Sequence, residues 1–312
     1  MNPAPSIVFF TTASGAGYGL LFWFGLLRAL GVLPDSWSFE LVVMQFVFAL
    51  VTVGLLSSLL HLGRPERAWR ALLQWRSSWL SREGVAALAT YVPMAVLTLA
   101  ILLGHGPLAL VAGLLGAAGA VATVWCTGMI YASLRTVRQW HHPMVPWGYL
   151  LFAAFCGAAI LAALAALWGE ARPPAMLAAL LGGGAIALKR AYWDSIDAPR
   201  PPASPSIESA TGLGRIGRTR PLDPPHTEQN WLLREMGFRV ARAHRAKLRL
   251  LTQAGFALAT ALAVLALPVA GAWAALLLVP ASLVAFAAML VERWLIFAEA
   301  THTVTLFYTG EA

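Results

Sequence analysis

The sequence predicts an all-α integral membrane protein, a bundle of eight transmembrane helices with a long, basic, Pro-rich loop between helices six and seven. Three observations carry this. Of the 312 residues, 59% are hydrophobic and only 12% charged, about half the charge of an ordinary soluble domain. The apolar residues come in continuous blocks, not in the alternation of barrel strands. Eight of these blocks have about the 20 residues that a helix needs to cross the hydrocarbon.

The spans are expected, in order, over residues 8–30, 39–61, 84–104, 108–134, 145–168, 175–193, 248–267 and 272–297. The first follows MNPAPSIVFFTTASG, which lacks the basic n-region of a secretory signal, so it is read as a retained span. The second ends at His61, and the third opens beside Glu83. The fourth carries Gly113, Gly116 and Gly119, and the sixth Gly182, Gly183 and Gly184. Such small residues let helix backbones approach where lipid supplies no hydrophobic drive. Cys126 and Cys156 lie inside the fourth and fifth spans without a CxxC neighbour. They read as small buried hydrophobes, not as cluster or zinc ligands. Most of the 13 tryptophans fall near span ends, as an interfacial belt requires.

The sequence is read as one polytopic domain, 1–312, with residues 194–247 as an extramembrane loop. Its formal charge is +8. An even number of spans puts both termini on one face, with the loops after spans two, four and six. Those loops hold Arg64, Arg67, Arg70, Arg76 and Arg82, then Arg135 and Arg138, then the stretch from Lys189 to Lys247. By the positive-inside rule this face is cytoplasmic. Arg28, after the first span, pulls the other way, and a basic face is also what a docking surface requires. Nucleic acid is not expected, because the arginines lie in loops bounded by apolar runs and no zinc-finger or RNA-recognition pattern occurs. Within the long loop, APRPPASPS reads as an extended linker. Residues 228–249 read as a basic amphipathic helix that suits either a membrane surface or a partner.

Several motifs bear on chemistry. Gly212–Gly217 matches GxGxxG by letter, but it lies in a loop between membrane helices, without the strand–helix setting that binds a pyrophosphate. His61 closes span two and Glu83 opens span three on one face, beside the Trp- and Arg-rich loop 62–82. Oxidation of a lipid-soluble quinol releases two protons with two electrons. A histidine near neutral pKa and a carboxylate would accept those protons, and an adjacent Arg64, Arg67 or Arg82 would keep the carboxylate ionised. The helix macrodipole alone also accounts for a histidine at a C-terminus and a glutamate at an N-terminus. Glu292, Arg293, Glu299 and His302 form a second group, read as a solvated helix end or as a proton path or partner contact. The seven histidines all fall at span ends or in loops, which disfavours a haem held between spans. Mid-span polar residues such as Gln45 and Thr123 are few, which argues against an ion pump.

Four stretches carry a resemblance. They are His61-Leu62-Gly63-Arg64-Pro65 with Ala68-Trp69-Arg70, the run Ser77-Ser78-Trp79-Leu80-Ser81-Arg82-Glu83, the segment Asn230-Trp231-Leu232-Leu233-Arg234-Glu235-Met236-Gly237-Phe238, and Glu292-Arg293-Trp294-Leu295 with Phe297-Ala298-Glu299. With these the sequence resembles the membrane-anchor subunit of bacterial dimethyl sulfoxide reductases. That family sits within the eight-helix quinone-binding anchors that include the polysulfide reductase membrane subunit.

The resemblance implies a subunit of the bacterial inner membrane, serving anaerobic respiration and inactive as an enzyme on its own. It would oxidise menaquinol or ubiquinol and pass electrons to a ferredoxin-like iron–sulfur subunit, and through it to a molybdopterin catalytic subunit. His61 and Glu83 would be its catalytic pair. Arg64, Arg82, Trp79 and Ser77 would complete the quinol site, and Arg67, Arg70, Arg76, Arg135 and Arg138 would dock the partner. No haem or metal is expected in this protein. The long Pro-rich loop departs from the shorter anchors, so partner and terminal acceptor are expected to differ. The rival readings are a carrier of small neutral solutes, and a haem-bearing anchor.

Overall fold

Helix α1 (Pro5–Ala29) packs against α2 (Trp37–Ser57), α4 (Gly106–Ala132), α5 (Met144–Leu167) and α9 (Ala275–Ala298). The computed structural model describes residues 4–199, 206–219, 222–223 and 240–305, without the side chains of residues 61, 240–243 and 305. Around this centre stand α3 (Trp79–Leu102), paired with α4, and α6 (Arg172–Asp197) and α8 (Val240–Ala266), which close the second half against α5 and α9. A one-turn helix, α7 (Ile207–Thr211), lies in the long loop.

Glycine decides where the two halves meet. A Cβ on Gly19 would overlap the Ala153 carbonyl of α5, and one on Gly157 would overlap the Gly19 backbone. The two helices touch backbone to backbone, the close approach that small residues permit in lipid. Gly25 and Gly113 repeat the contact between α1 and α4. Gly183, in contrast, faces open space.

The two ends of the bundle differ. The turns after α1, α3, α5 and α8 each contain a glycine of positive φ, namely Gly31, Gly104, Gly169 and Gly271. These short reversals use the left-handed conformation that glycine adopts without a Cβ penalty. The connections at the other end are longer and carry the arginines.

Among the described residues, seven helices are long and apolar enough to cross a membrane, not the eight expected. The exception is α6. It has 26 residues, but Lys189, Arg190, Asp194 and Asp197 occupy its second half. The expected span 248–267 coincides with the apolar part of α8, to within one residue at its end. The linker residues 200–205 and the expected helical stretch 228–239 lie outside the described residues. Gly212 has φ 71° and ends α7. Among the described residues the only β pairing is the isolated bridge Val137–His302, and none of them forms a strand beside the GxGxxG run.

At the charged end the α4–α5 connection is clamped to α6, to the last turn of α9 and to the segment beyond it. Trp140 Nε1 donates to the Ile296 carbonyl at 2.7 Å, Tyr192 Oη to the Gln139 carbonyl at 2.8 Å, and Gln139 Nε2 to Thr301 Oγ1 at 2.9 Å.

Candidate functional site

Beyond α2 the backbone makes a 3-10 turn, Ser58–His61, and then a 3-10 run, Pro65–Gln74. His61 ends the first of these, and its side chain lies outside the described residues. Arg64, Arg67, Arg70, Arg76 and Ser77 are exposed, and Trp69 and Trp75 are more than half exposed. Three contacts hold this loop against α3. Ser81 Oγ donates to the Ala71 carbonyl, and Leu72 lies over Gly84. Arg82 donates from Nε to the Trp75 carbonyl at 3.0 Å and from Nη2 to the Arg76 carbonyl at 2.7 Å. Its guanidinium also sits 4.3 Å from the centre of the Trp79 ring. Arg82 and Trp79 therefore shape the loop.

Glu83, one residue on, points into the bundle, because successive helical residues do not share a face. It is 5% exposed, and Thr127 Oγ1 of α4 donates to its Oε1 at 2.5 Å. Two turns deeper, Thr90 and Thr123 approach at 3.5 Å, so a polar seam runs between α3 and α4. Among the described residues Glu83 has no ion pair. Of the arginines expected to tune it, Arg64 and Arg67 are exposed and Arg82 donates to loop carbonyls.

The second group is no solvated helix end. Glu292 is 0% exposed, Arg293 2% and Glu299 9%. The reason is a cation that sequence reasoning passed over. Lys189 of α6 donates to Glu292 Oε1 at 2.5 Å, and Arg293 Nε donates to Oε2 at 2.5 Å. Lys189 Nζ also stands 4.4 Å from the Tyr192 ring, and the Arg293 guanidinium 3.9 Å from that of Tyr149. These ring faces favour a desolvated cation. Outside this core, Arg249 of α8 joins Glu299 at 2.7 Å and Asp197 at 2.5 Å. One signal was available: Lys189 falls inside the apolar run 175–193, where a charge needs a partner. Which partner it finds depends on α9, about 100 residues away in sequence.

Between Glu83 and this cluster lies a cavity of about 20 Å³, lined by Tyr18, Thr127, Tyr149 and Arg293 and by hydroxyl residues of α1 such as Thr12 and Ser14. Tyr18, with Val124 and Ala153, also borders an apolar pocket of about 180 Å³ between α1, α4 and α5. Cys126 and Cys156 are buried free thiols.

Of the remaining arginines, Arg135 is exposed, and Arg138 Nη2 donates to the Ala198 carbonyl at 2.9 Å, tying the α4–α5 connection to the end of α6. In that connection His142 Nε2 lies 2.9 Å from Ser195 Oγ, while its Nδ1 accepts from the Met144 amide. Burial, with Arg138 nearby, pushes the His142 imidazole below its ordinary value.

Among the described residues, seven apolar helices whose buried charged groups gather at the basic end define a multi-pass membrane protein. The sequence profile described as DMSO reductase anchor subunit (DmsC) matches residues 1–187. The protein belongs to that family. It is 34% identical over 196 residues to a sulfite dehydrogenase subunit of Allochromatium vinosum, an alignment that takes in 54% of this sequence and 57% of the relative. It is 26% identical over 159 residues to a subunit of the anaerobic dimethyl sulfoxide reductase of Haemophilus influenzae, taking in 48% of this sequence and 54% of that one. The alignments thus span little more than half the length of these curated relatives.

Proposed function

We propose that the protein anchors an iron–sulfur molybdoenzyme in the bacterial cytoplasmic membrane and exchanges electrons with the quinone pool at Glu83. The observation that carries this is a buried carboxyl at the mouth of the bundle, held by one neutral hydroxyl and free of any described ion pair. Such a group takes or gives a proton at little electrostatic cost to its neighbours. Menaquinol or ubiquinol would bind with one ring hydroxyl toward Glu83 and the other toward His61, below the loop shaped by Trp79 and Arg82. Two electrons would leave for a ferredoxin-like iron–sulfur subunit and then a molybdopterin subunit, and two protons for the site carboxyl and imidazole. The exposed Arg64, Arg67, Arg70, Arg76 and Arg135 would face that partner. On this reading α6 also crosses the membrane, paired through Lys189, and both termini are cytoplasmic.

The reverse direction is the second reading, favoured by the 34% identity to a sulfite dehydrogenase subunit. A dehydrogenase draws electrons from its substrate, so its anchor would deliver them to quinone, with Glu83 donating a proton.

Glu83→Gln tests both, because the amide keeps the Thr127 hydrogen bond and removes the titratable proton. In native membranes the variant should reach normal levels and lose electron transfer with a quinol or quinone analogue in both directions. Unchanged turnover would sink the assignment.

A further inference from the structure

Three buried polar atoms, Tyr18 Oη, Tyr149 Oη and Arg293 Nη1, make no protein hydrogen bond of standard geometry among the described residues. An unsatisfied buried polar group is costly, and more so when it is charged. All three residues line the same cavity of about 20 Å³. A water needs about 10–15 Å³ of such space and two to four polar partners, so the cavity fits one water and supplies its partners. Thr127 lines it too, and its single hydroxyl proton is taken up by two acceptors, Glu83 Oε1 at 2.5 Å and the Thr123 carbonyl at 3.1 Å. Toward the cavity the Thr127 oxygen can therefore only accept. Arg293, for its part, can only donate.

We propose that the cavity holds one structural water that accepts a hydrogen bond from Arg293 and donates one to Thr127. This completes a buried donor series from Arg293 through water and Thr127 to Glu83. Every bond in the series points toward the carboxyl, and bonds aligned in this way polarise one another in a low-dielectric interior. Arg293 is then a positioning residue for Glu83, acting across the α3–α4 and α5–α9 halves of the bundle. Glu292 holds the Arg293 Nε, and the Tyr149 ring lies against the guanidinium. The water site stands on the geometry alone, while its bearing on electron transfer rests on the role proposed for Glu83.

The test uses Tyr149→Phe, which keeps the ring under Arg293 and removes a hydroxyl that holds the water, and Thr127→Val, which cuts the series beside Glu83. The protein is studied in its native assembly in nanodiscs. High-resolution cryo-electron microscopy should show density for one water between Arg293 and Thr127, within hydrogen-bond reach of Tyr18 and Tyr149. The infrared carboxyl band of Glu83, identified by its loss in Glu83→Gln, should shift in Tyr149→Phe. It should no longer respond to Tyr149→Phe once Thr127→Val is present, the non-additivity that a shared series requires. A dry cavity, or band shifts from the two substitutions that simply add, would overturn the proposal. If Glu83→Gln keeps full turnover, the quinol reading fails, while the density and the band still judge the water-linked series.

Discussion

Lys189 Nζ donates to Glu292 Oε1 at 2.5 Å, and the pair ties α6 to α9 with both side chains almost wholly buried. Arg293 shares the same carboxylate from the next residue. One anion therefore serves two buried cations, and the three charges have unequal structural weight.

Glu292→Gln removes the carboxylate that both cations contact directly, whereas Lys189→Met leaves Arg293 and Glu292 matched one to one. Breaking a buried pair by removing one partner costs about 3–5 kcal/mol. We expect Glu292→Gln to reach or exceed that range and Lys189→Met to fall below it. Thermal unfolding in detergent decides, and the reverse order would mean that Arg293 finds its balance elsewhere.

The contact of α1 with α5 sets a second expectation. Gly157→Ala drives a methyl into the Gly19 backbone, and overpacking of this kind costs about 1–3 kcal/mol or more. Gly183→Ala meets open space in the middle of a helix, where replacing glycine is worth up to about 0.5–1 kcal/mol of added stability. The two variants should move the thermal midpoint in opposite directions.

His142 gives a pH dependence with a definite sign. Its ordinary value is 6.5, and burial followed by the charge of Arg138 lowers it. A base whose folded value is depressed is stabilised as the neutral form. Its contribution is complete above about 6.5 and is lost as pH falls through the lowered value. The thermal midpoint should therefore decline on acidification below about pH 6.5, and His142→Gln should flatten that decline. A decline of the same size in the variant would place its origin elsewhere.

The loop arginines separate by role. Arg82 is bonded to the Trp75 and Arg76 carbonyls, so Arg82→Ala should expose the 62–78 loop to protease in the isolated protein. Arg64, Arg67 and Arg70 are exposed, so replacing all three by Gln should leave proteolysis unchanged and release any bound iron–sulfur subunit at ordinary salt. Retention of that subunit on the triple variant would argue against docking there.

The apolar runs, the small residues within them and the clustering of arginine on alternate loops were all legible in the sequence, because each depends on local composition set against the thickness of a bilayer. The membrane class and the anchor resemblance followed from these and from the runs around His61 and Glu83. Local pattern also placed Glu83 at a helix start, though it could not say that the side chain turns inward while Arg82 turns to the loop. Tertiary packing alone decided that Thr127, not an arginine, meets Glu83. The same packing carried Glu292 and Arg293 into the interior, where Lys189 and the ring of Tyr149 receive them. A charge's partner is set by distance in space, and neither hydropathy nor spacing along the sequence encodes that distance between helices about 100 residues apart.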